Sequence, residues 1–270
     1  MKSGRSVRKK TDENYRAVFF DLYGTLMDVH TDEKMPRLWC CMSGWYADRG
    51  AVYTPGELRA AYLAAVRRDL VRVTGEWEKR GIRITYPEAD IGIVFRDLFG
   101  SAGITADEAL IRETAWFFRQ NATTHLRLYA GVKKLLTQLK EAGKQVYVLS
   151  NAQSLFTMPE LEKLGIAHDF DGIFISSDCG AKKPETVFYR KALEDTGLKA
   201  QECLMVGNDY TCDVAGARRA GMDSFYILSG LSPKESRGTF EKDRRDAALS
   251  LRGMDLEKAG RMILPERLNL

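Results

Sequence analysis

The amino-acid sequence predicts an α/β fold with a parallel sheet and an inserted all-helical domain. In the second half of the chain, short apolar runs alternate with helical segments, as in parallel sheets whose strands are joined by crossover helices. One more such run lies at residues 17–24, and about a hundred residues of helical periodicity separate it from the others. A chain of 270 residues, 44% of them hydrophobic, is long enough for both units.

Six segments are predicted to be strands of the sheet, because each is apolar and rich in β-prone residues. They are residues 17–24, 145–151, 172–178, 203–209, 224–229 and 247–253. In such sheets ligands bind at the carboxyl ends of the strands. Polar residues at these ends are therefore candidates for a functional site: Asp21, Ser150, Asn151, Ser177, Asp178, Asn208 and Asp209.

Residues 31–125 are predicted to form the helical domain, since apolar residues recur there every three or four positions. Two helix starts are predicted from capping-box patterns, Thr54 with Glu57 and Thr105 with Glu108. The core domain is then made of residues 14–30 and 126–270.

Residues 1–13 are predicted to be a disordered basic tail. The first ten residues carry five basic side chains and no acid, which is more than the formal net charge of +4 of the whole chain. A nucleic-acid function could lie only in this tail, and we expect none. No apolar run approaches the roughly 18 residues that a membrane span needs, and none follows the basic residues as in a signal sequence.

We therefore expect a cytoplasmic protein with a small-molecule substrate and no nucleic-acid or membrane partner. The five cysteines have no zinc-binding spacing, which fits free thiols in a reducing compartment. No pattern predicts the oligomeric state.

Four short motifs at the predicted strand ends resemble those of one protein family. Residues 21–26, DLYGTL, resemble the DxxGTL motif of the haloacid dehalogenase (HAD) superfamily, and Ser150 ends the second strand as in its second motif. Residues 176–184 are similar to the third motif, and residues 207–217 to the fourth. The four occur in the order of the family, and the helical insert resembles its helical (C1-type) cap. The resemblance implies a Rossmann-like core.

The resemblance also implies a hydrolase whose nucleophile is the carboxylate of Asp21. An attacking carboxylate forms a covalent intermediate and splits one difficult displacement into two easier steps. Thr25 would hydrogen-bond and orient this carboxylate. Ser150 and the amide of Asn151 would bind the transferring group, and Lys183, in the position of the third motif's lysine, would bind the substrate and supply positive charge.

A magnesium ion is implied as the cofactor. Its expected protein ligands are the carboxylates of Asp21 and Asp209 and the backbone carbonyl of Tyr23, since Mg²⁺ prefers hard oxygen donors. Asp213, the second acid of the fourth motif, would lie outside the ligand set and orient the waters on the metal.

Tyr23 departs from the pattern of the family's phosphatases. They usually carry a second aspartate here, which protonates the leaving alcohol, whereas a phenol with an ordinary pKa of about 10 is a poor acid–base group at neutral pH. The 2-haloacid dehalogenases have tyrosine at this position, and their halide leaving group needs no proton. Asp209 argues the other way, because those dehalogenases work without metal and a second buried carboxylate is costly without a cation.

Three functions therefore stay open. The favoured one is Mg²⁺-dependent, phosphatase-like hydrolysis of a small phosphorylated metabolite, because the two carboxylates make most sense with a metal. The others are metal-free 2-haloacid dehalogenase chemistry and a catalytically weak HAD-fold binding or regulatory protein. A cap that closes over the strand ends would exclude water and select small substrates.

Overall fold

The computed structural model describes residues 15–264. The predicted basic tail at residues 1–13 lies outside the described residues. None of the helices within residues 15–264 is long and apolar enough to cross a lipid bilayer.

Eight strands form two sheets in the described part of the chain. They are β1 (Ala17–Phe20), β2 (Met27–Thr31), β3 (Thr123–Leu128), β4 (Gln145–Ser150), β5 (Gly172–Ile175), β6 (Cys203–Gly207), β7 (Asp223–Leu228) and β8 (Leu249–Arg252). The larger sheet has the order β5-β4-β1-β6-β7-β8 and is parallel throughout. The predicted α/β class with a Rossmann-like parallel sheet is confirmed.

Strand β1 lies in the middle of the larger sheet and is buried on both faces. Val18 and Phe20 belong to one hydrophobic cluster, and Ala17 and Phe19 belong to another on the opposite face. This is why the strand reads as a continuous apolar run rather than as an alternating one. Its position between β4 and β6 brings the residue that follows it next to the ends of both neighbours.

Among the described residues, four helices form one block between β2 and β3, six lie between later strands, and the last follows β8. They are α1 (Pro36–Ala47), α2 (Pro55–Lys79), α3 (Ile91–Ser101), α4 (Glu108–Ala122), α5 (Val132–Glu141), α6 (Ser154–Leu164), α7 (Ser176–Cys179), α8 (Thr186–Thr196), α9 (Gly216–Ala220), α10 (Ser236–Asp243) and α11 (Leu256–Ile263). Helices α1 to α4 have a hydrophobic cluster of their own, to which Phe156 of α6 also belongs. The antiparallel pair β2–β3 connects this helical block to the parallel sheet.

One of the two predicted helix starts is confirmed. At α2 the Thr54 hydroxyl accepts from the Glu57 backbone N–H at 3.3 Å, and the Glu57 carboxylate accepts from the Thr54 N–H at 2.9 Å. The prediction for Thr105 and Glu108 is wrong, because Asp107 is the N-cap of α4 and accepts from the Leu110 N–H at 2.8 Å. Its short carboxylate reaches this N–H from the residue directly before the helix.

The third predicted strand is shorter than expected. Strand β5 ends at Ile175, and Ser176–Cys179 form a single helical turn that ends at Gly180 with φ of 70°. The Ser177 hydroxyl accepts from the Ser154 N–H at 3.0 Å, and the Ser154 hydroxyl donates to Asp178 at 2.6 Å. Ser177 and Asp178 thus hydrogen-bond the first residue of α6 instead of extending the strand.

Candidate active site

The carboxylate of Asp21 lies directly after β1 and is held by three side chains. Lys183 donates from Nζ to Oδ1 at 2.8 Å, and the Ser150 hydroxyl donates to the same oxygen at 3.2 Å. The Thr25 hydroxyl donates to Oδ2 at 3.3 Å. Asp21 is 8% exposed, so water competes little with these contacts. The fold thus orients a single carboxylate from three segments of the chain.

Lys183 also binds a second carboxylate, that of Asp213, at 2.7 Å from Nζ to Oδ1. Burial by itself lowers the pKa of Lys183, but the adjacent carboxylates of Asp21 and Asp213 outweigh this and raise it above its ordinary value. Burial raises the pKa of the Asp213 carboxyl, and Lys183 opposes the shift. Asp213 was expected to orient metal-bound water; in the structure it is the second direct partner of the lysine.

Two glycines allow this close arrangement. Gly24 has φ of 88°, and a Cβ there would lie 2.3 Å from the Asn208 amide nitrogen. A Cβ on Gly207 would lie 2.2 Å from the carboxyl carbon of Asp213. Both distances are far below any van der Waals contact, so the backbone turns after β1 and at the end of β6 need residues without a side chain.

The backbone of Lys183 is held on both sides by the side chain of Asn151. The Asn151 Nδ2 donates to the Lys183 carbonyl at 2.9 Å, and the Lys183 N–H donates to Asn151 Oδ1 at 2.7 Å. Both ends of the side-chain amide therefore fix the position of the lysine, and binding of the transferring group by the Asn151 amide stays a prediction. Tyr189 is fully buried and donates its hydroxyl to the Cys212 carbonyl, next to Asp213.

The two residues after β6 have different surroundings. The Asn208 side chain lies 3.3 Å from the Thr25 hydroxyl and donates to Ser229 at 3.2 Å, so it is tied to the core. One oxygen of Asp209 accepts from the Cys212 N–H at 3.0 Å and caps the turn that follows. Its second oxygen has no hydrogen-bond partner within residues 15–264.

A cavity of about 230 Å³ lies at the strand ends. It is lined by Asp21, Tyr23, Asn151, Lys183, Asn208, Asp209, Cys212, Asp213, Leu231 and Pro233. The hydroxyls of Thr25 and Ser150 lie behind Asp21, and both residues are fully buried. The cavity brings together most of the predicted site residues, whereas Ser177 and Asp178 do not line it.

Tyr23 forms one wall of this cavity, and its hydroxyl points into a buried polar cluster. It donates to Glu160 at 2.6 Å and lies 3.0 Å from the Thr157 hydroxyl, both on α6. Arg119, near the end of α4, donates from Nε to the other oxygen of Glu160 at 2.6 Å. Burial, and then the negative charge of Glu160, raise the pKa of the Tyr23 phenol above its ordinary value.

Sequence reasoning did not identify Glu160 and Arg119, although one signal points to the former. Glu160 stands on the same face of α6 as Phe156 and Leu161, and it is fully buried. A carboxylate at a buried position of an amphipathic helix needs a cationic or donor partner. The sequence gives no indication that this partner would be Arg119, 41 residues earlier.

The oxygen donors of the cavity fit a magnesium ion. The cavity carries the carboxylates of Asp21, Asp209 and Asp213 against the single cation Lys183. Within residues 15–264, no group of three or more His, Cys, Asp or Glu side chains is placed to hold a metal. Mg²⁺ does not need such a group, because it usually binds one or two carboxylates and completes its shell with water and substrate phosphate. Asp21 and Asp209, with the Tyr23 carbonyl, would be that set.

The comparison with protein families decides the identity of the fold. The model of the haloacid dehalogenase-like hydrolases matches residues 15–221. The chain belongs to this family. The resemblance read from the four motifs is thereby confirmed, and with it the assignment to the HAD hydrolases.

Among curated relatives of this HAD chain are several named phosphatases. A glyceraldehyde 3-phosphate phosphatase of Methanothermobacter thermautotrophicus is 33% identical over 124 residues, which is 46% of this chain and 54% of the relative. A phosphoserine phosphatase of Thermus thermophilus is 32% identical over 143 residues, 53% of this chain and 56% of the relative. The chain thus spans about half the length of the curated relatives it matches.

Solved structures share the fold over nearly the whole chain. A 2-haloacid dehalogenase from Pseudomonas syringae pv. tomato has a TM-score of 0.59 and 20% identity, covering 93% of this chain and 99% of its own. The HAD hydrolase YfnB from Bacillus subtilis, solved bound to magnesium, has a TM-score of 0.50, 20% identity and the same coverage. At this identity the similarity concerns the fold, and it includes both dehalogenases and phosphatases.

Proposed function

We propose that this HAD chain hydrolyses a small phosphate monoester with Mg²⁺ as its cofactor. The observation that carries the proposal is that the Asp21 carboxylate, paired with Lys183, shares its cavity with the second carboxylate Asp209. A metal-free displacement at Asp21 has no use for that extra negative charge.

Asp21 would attack phosphorus, forming an aspartyl-phosphate as the bond to the ester oxygen breaks, and water would then hydrolyse this intermediate. Lys183 would offset the negative charge of the transferring group, while Thr25 and Ser150 keep the carboxylate oriented. When bound, Mg²⁺ would neutralise charge on the carboxylates and the phosphate. The cavity of about 230 Å³ suits a small substrate, and the curated relatives are named for small phosphorylated substrates, glyceraldehyde 3-phosphate and phosphoserine.

The first test is hydrolysis of p-nitrophenyl phosphate with Mg²⁺ and with EDTA. We expect phosphate release with Mg²⁺, its loss with EDTA, and its recovery when excess Mg²⁺ is restored. Asp21→Asn serves as the control for a contaminating phosphatase. Activity that survives chelation would contradict the metal proposal, and activity that survives Asp21→Asn would contradict the nucleophile.

Because Tyr23 replaces the usual proton donor, a second test compares substrates whose leaving groups differ in their need for a proton. Its hydroxyl is bound to Glu160, so it is in no position to protonate an alcohol that departs from the cavity. General acids contribute about 10² to 10⁴ in rate. We therefore expect aryl phosphates to be hydrolysed about 10²-fold faster than alkyl phosphates, and Tyr23→Asp to narrow this difference. Equal rates for both substrates in the wild-type protein would show that another group donates the proton.

The same observation on Tyr23 favours 2-haloacid dehalogenase chemistry as the second candidate, because a halide leaves without a proton. Its test is chloride release from L-2-chloropropionate in EDTA. Chloride release that depends on Asp21, without phosphate release in any condition, would replace the phosphatase proposal by this one.

The third possibility is a HAD-fold binding or regulatory protein. It would be favoured by inactivity toward a broad panel of phosphorylated metabolites and haloacids, with the wild-type protein and Asp21→Asn indistinguishable.

The cytoplasmic location, the lack of a nucleic-acid partner and the domain boundaries stay predictions from the sequence.

A further inference from the structure

A second cavity, of about 330 Å³, lies where α4 runs into β3, against α6. We name it the hinge cavity, since it adjoins the pair β2–β3 that connects the helical block to the sheet. Its lining includes Trp116, Arg119 and Gln120 from α4 and Glu160 and Lys163 from α6. None of these residues lines the catalytic cavity.

Hydrogen-bond donors outnumber acceptors on the side chains that line the hinge cavity. Within residues 15–264, the exposed Lys163 ammonium and Gln120 amide and the half-buried Trp116 indole N–H have no hydrogen-bond or ion-pair partner in the protein. Arg119 binds Glu160 through Nε and Nη2, which leaves the donors on Nη1 without a described partner.

The lining of the hinge cavity is also positively charged. Glu160 is its single acidic residue, and this carboxylate is already taken by Arg119 and Tyr23. The charges of Arg119 and Glu160 cancel, so Lys163 is left as an uncompensated cation. A wall with spare donors and a spare positive charge matches a small anion.

We propose that the hinge cavity is a second binding site, for a phosphate group. The phosphate oxygens accept from the Lys163 ammonium and from the free side of the Arg119 guanidinium, with Gln120 as a further donor. Trp116 provides a flat apolar face for the carbon part of an organic phosphate.

The hinge cavity differs in charge from the catalytic cavity on the other side of the Tyr23–Glu160 contact. The catalytic cavity holds three carboxylates against one lysine, so without a metal ion it repels phosphate. The hinge cavity needs no metal. Phosphate binding in the presence of EDTA therefore separates the new site from the catalytic one and does not depend on catalytic activity.

The test is isothermal titration calorimetry of the full chain with millimolar inorganic phosphate in EDTA. We expect saturable binding to one site in the wild-type protein. Lys163→Ala should weaken it about tenfold, the effect of losing one charge-assisted hydrogen bond. Lys258→Ala, an exposed lysine on α11 away from the cavity, is the matched control for the change in net charge and should leave binding unchanged.

Three outcomes overturn the proposal: no saturable binding in EDTA, unchanged binding in Lys163→Ala, or equal weakening in both variants, which would indicate only long-range attraction. Repeating the titration with an organic phosphate such as glycerol phosphate identifies the source of the ligand. If glycerol phosphate binds more tightly than inorganic phosphate and Trp116→Ala removes this gain in affinity, the ligand is a phosphorylated metabolite. Equal affinity for the two compounds supports free phosphate.

Discussion

Two polar clusters adjoin the catalytic cavity, and they differ in charge balance. The nucleophile cluster consists of Asp21, Lys183 and Asp213, with one cation between two carboxylates. The tyrosine cluster consists of Tyr23, Glu160 and Arg119, with one cation, one carboxylate and a neutral phenol. The first is left with excess negative charge that a metal or a proton must offset, and the second is complete. This difference explains why we assign chemistry to the first and a positioning role to the second.

The largest expected effect is that of Asp21→Asn. The amide is a poor nucleophile, so turnover should fall by about 10⁴-fold or more. The fold should persist, since the change removes one of two negative charges around Lys183, which keeps its contact with Asp213. The measurements are kcat with p-nitrophenyl phosphate and the midpoint of thermal unfolding. Turnover within tenfold of the wild-type value would show that the nucleophile cluster does not contain the nucleophile.

Lys183→Ala should affect both activity and stability. It leaves Asp21 and Asp213 buried together without a cation, which costs about 3–5 kcal/mol of unfolding free energy. Turnover should fall about 10²- to 10³-fold with the loss of the charge that faces the transferring group. Denaturant unfolding and kcat give the two values.

Lys191→Ala is the control for Lys183→Ala. Lys191 binds Asp195 at 2.8 Å on the surface of α8, and such a pair contributes under about 1 kcal/mol. If the two variants lost equal stability, the buried lysine would not be the residue that holds the nucleophile cluster together.

The nucleophile cluster was largely predictable from the sequence, and the tyrosine cluster was not. Asp21 directly follows β1, Ser150 ends β4, and Asp209 lies two residues after β6. In a parallel sheet such positions meet at one edge, whatever the length of the chain between them. Lys183 lies on a loop, and it was recognised through the motif around it. The tyrosine cluster depends on how α4 packs against α6, which no strand-end rule specifies.

The same distinction accounts for the details that sequence reasoning could not supply. The amide of Asn151 is predicted to bind the transferring group, and the structure adds that both ends of the side-chain amide hydrogen-bond the Lys183 backbone. A strand-end pattern gives the position of a residue but not the partner of its side chain. For Tyr23 the sequence left two interpretations of the reaction open, and the contact of its hydroxyl with Glu160 is visible only in three dimensions.

Glu160→Gln tests the tyrosine cluster with a smaller expected effect. The amide keeps the shape and part of the hydrogen bonding but leaves the mostly buried Arg119 without a counter-charge, at a cost of about 2 kcal/mol. Turnover should fall less than about tenfold, through a looser Tyr23 wall. Glu162→Gln, at an exposed position of the same helix, should change neither value. A 10³-fold loss of turnover in Glu160→Gln alone would mean that this cluster takes part in the reaction.

Tyr23→Phe tests the role of the tyrosine cluster most directly, and its expected effect is the smallest. It removes the hydroxyl that binds Glu160 while keeping the ring that lines the cavity, so we expect a loss of about 1 kcal/mol in unfolding free energy. Tyr15→Phe is the matched control, because the Tyr15 hydroxyl donates to Asp223 at 2.9 Å away from the catalytic cavity. If the hydroxyl of Tyr23 only positions the ring that lines the cavity, Tyr23→Phe and Tyr15→Phe should lose similar unfolding free energy. Turnover of Tyr23→Phe should then change less than about tenfold, and its pH profile of kcat/KM should match that of the wild-type protein. A loss of 10²-fold or more in Tyr23→Phe, with the basic limb of that profile missing, would instead make the phenol a proton donor in the reaction.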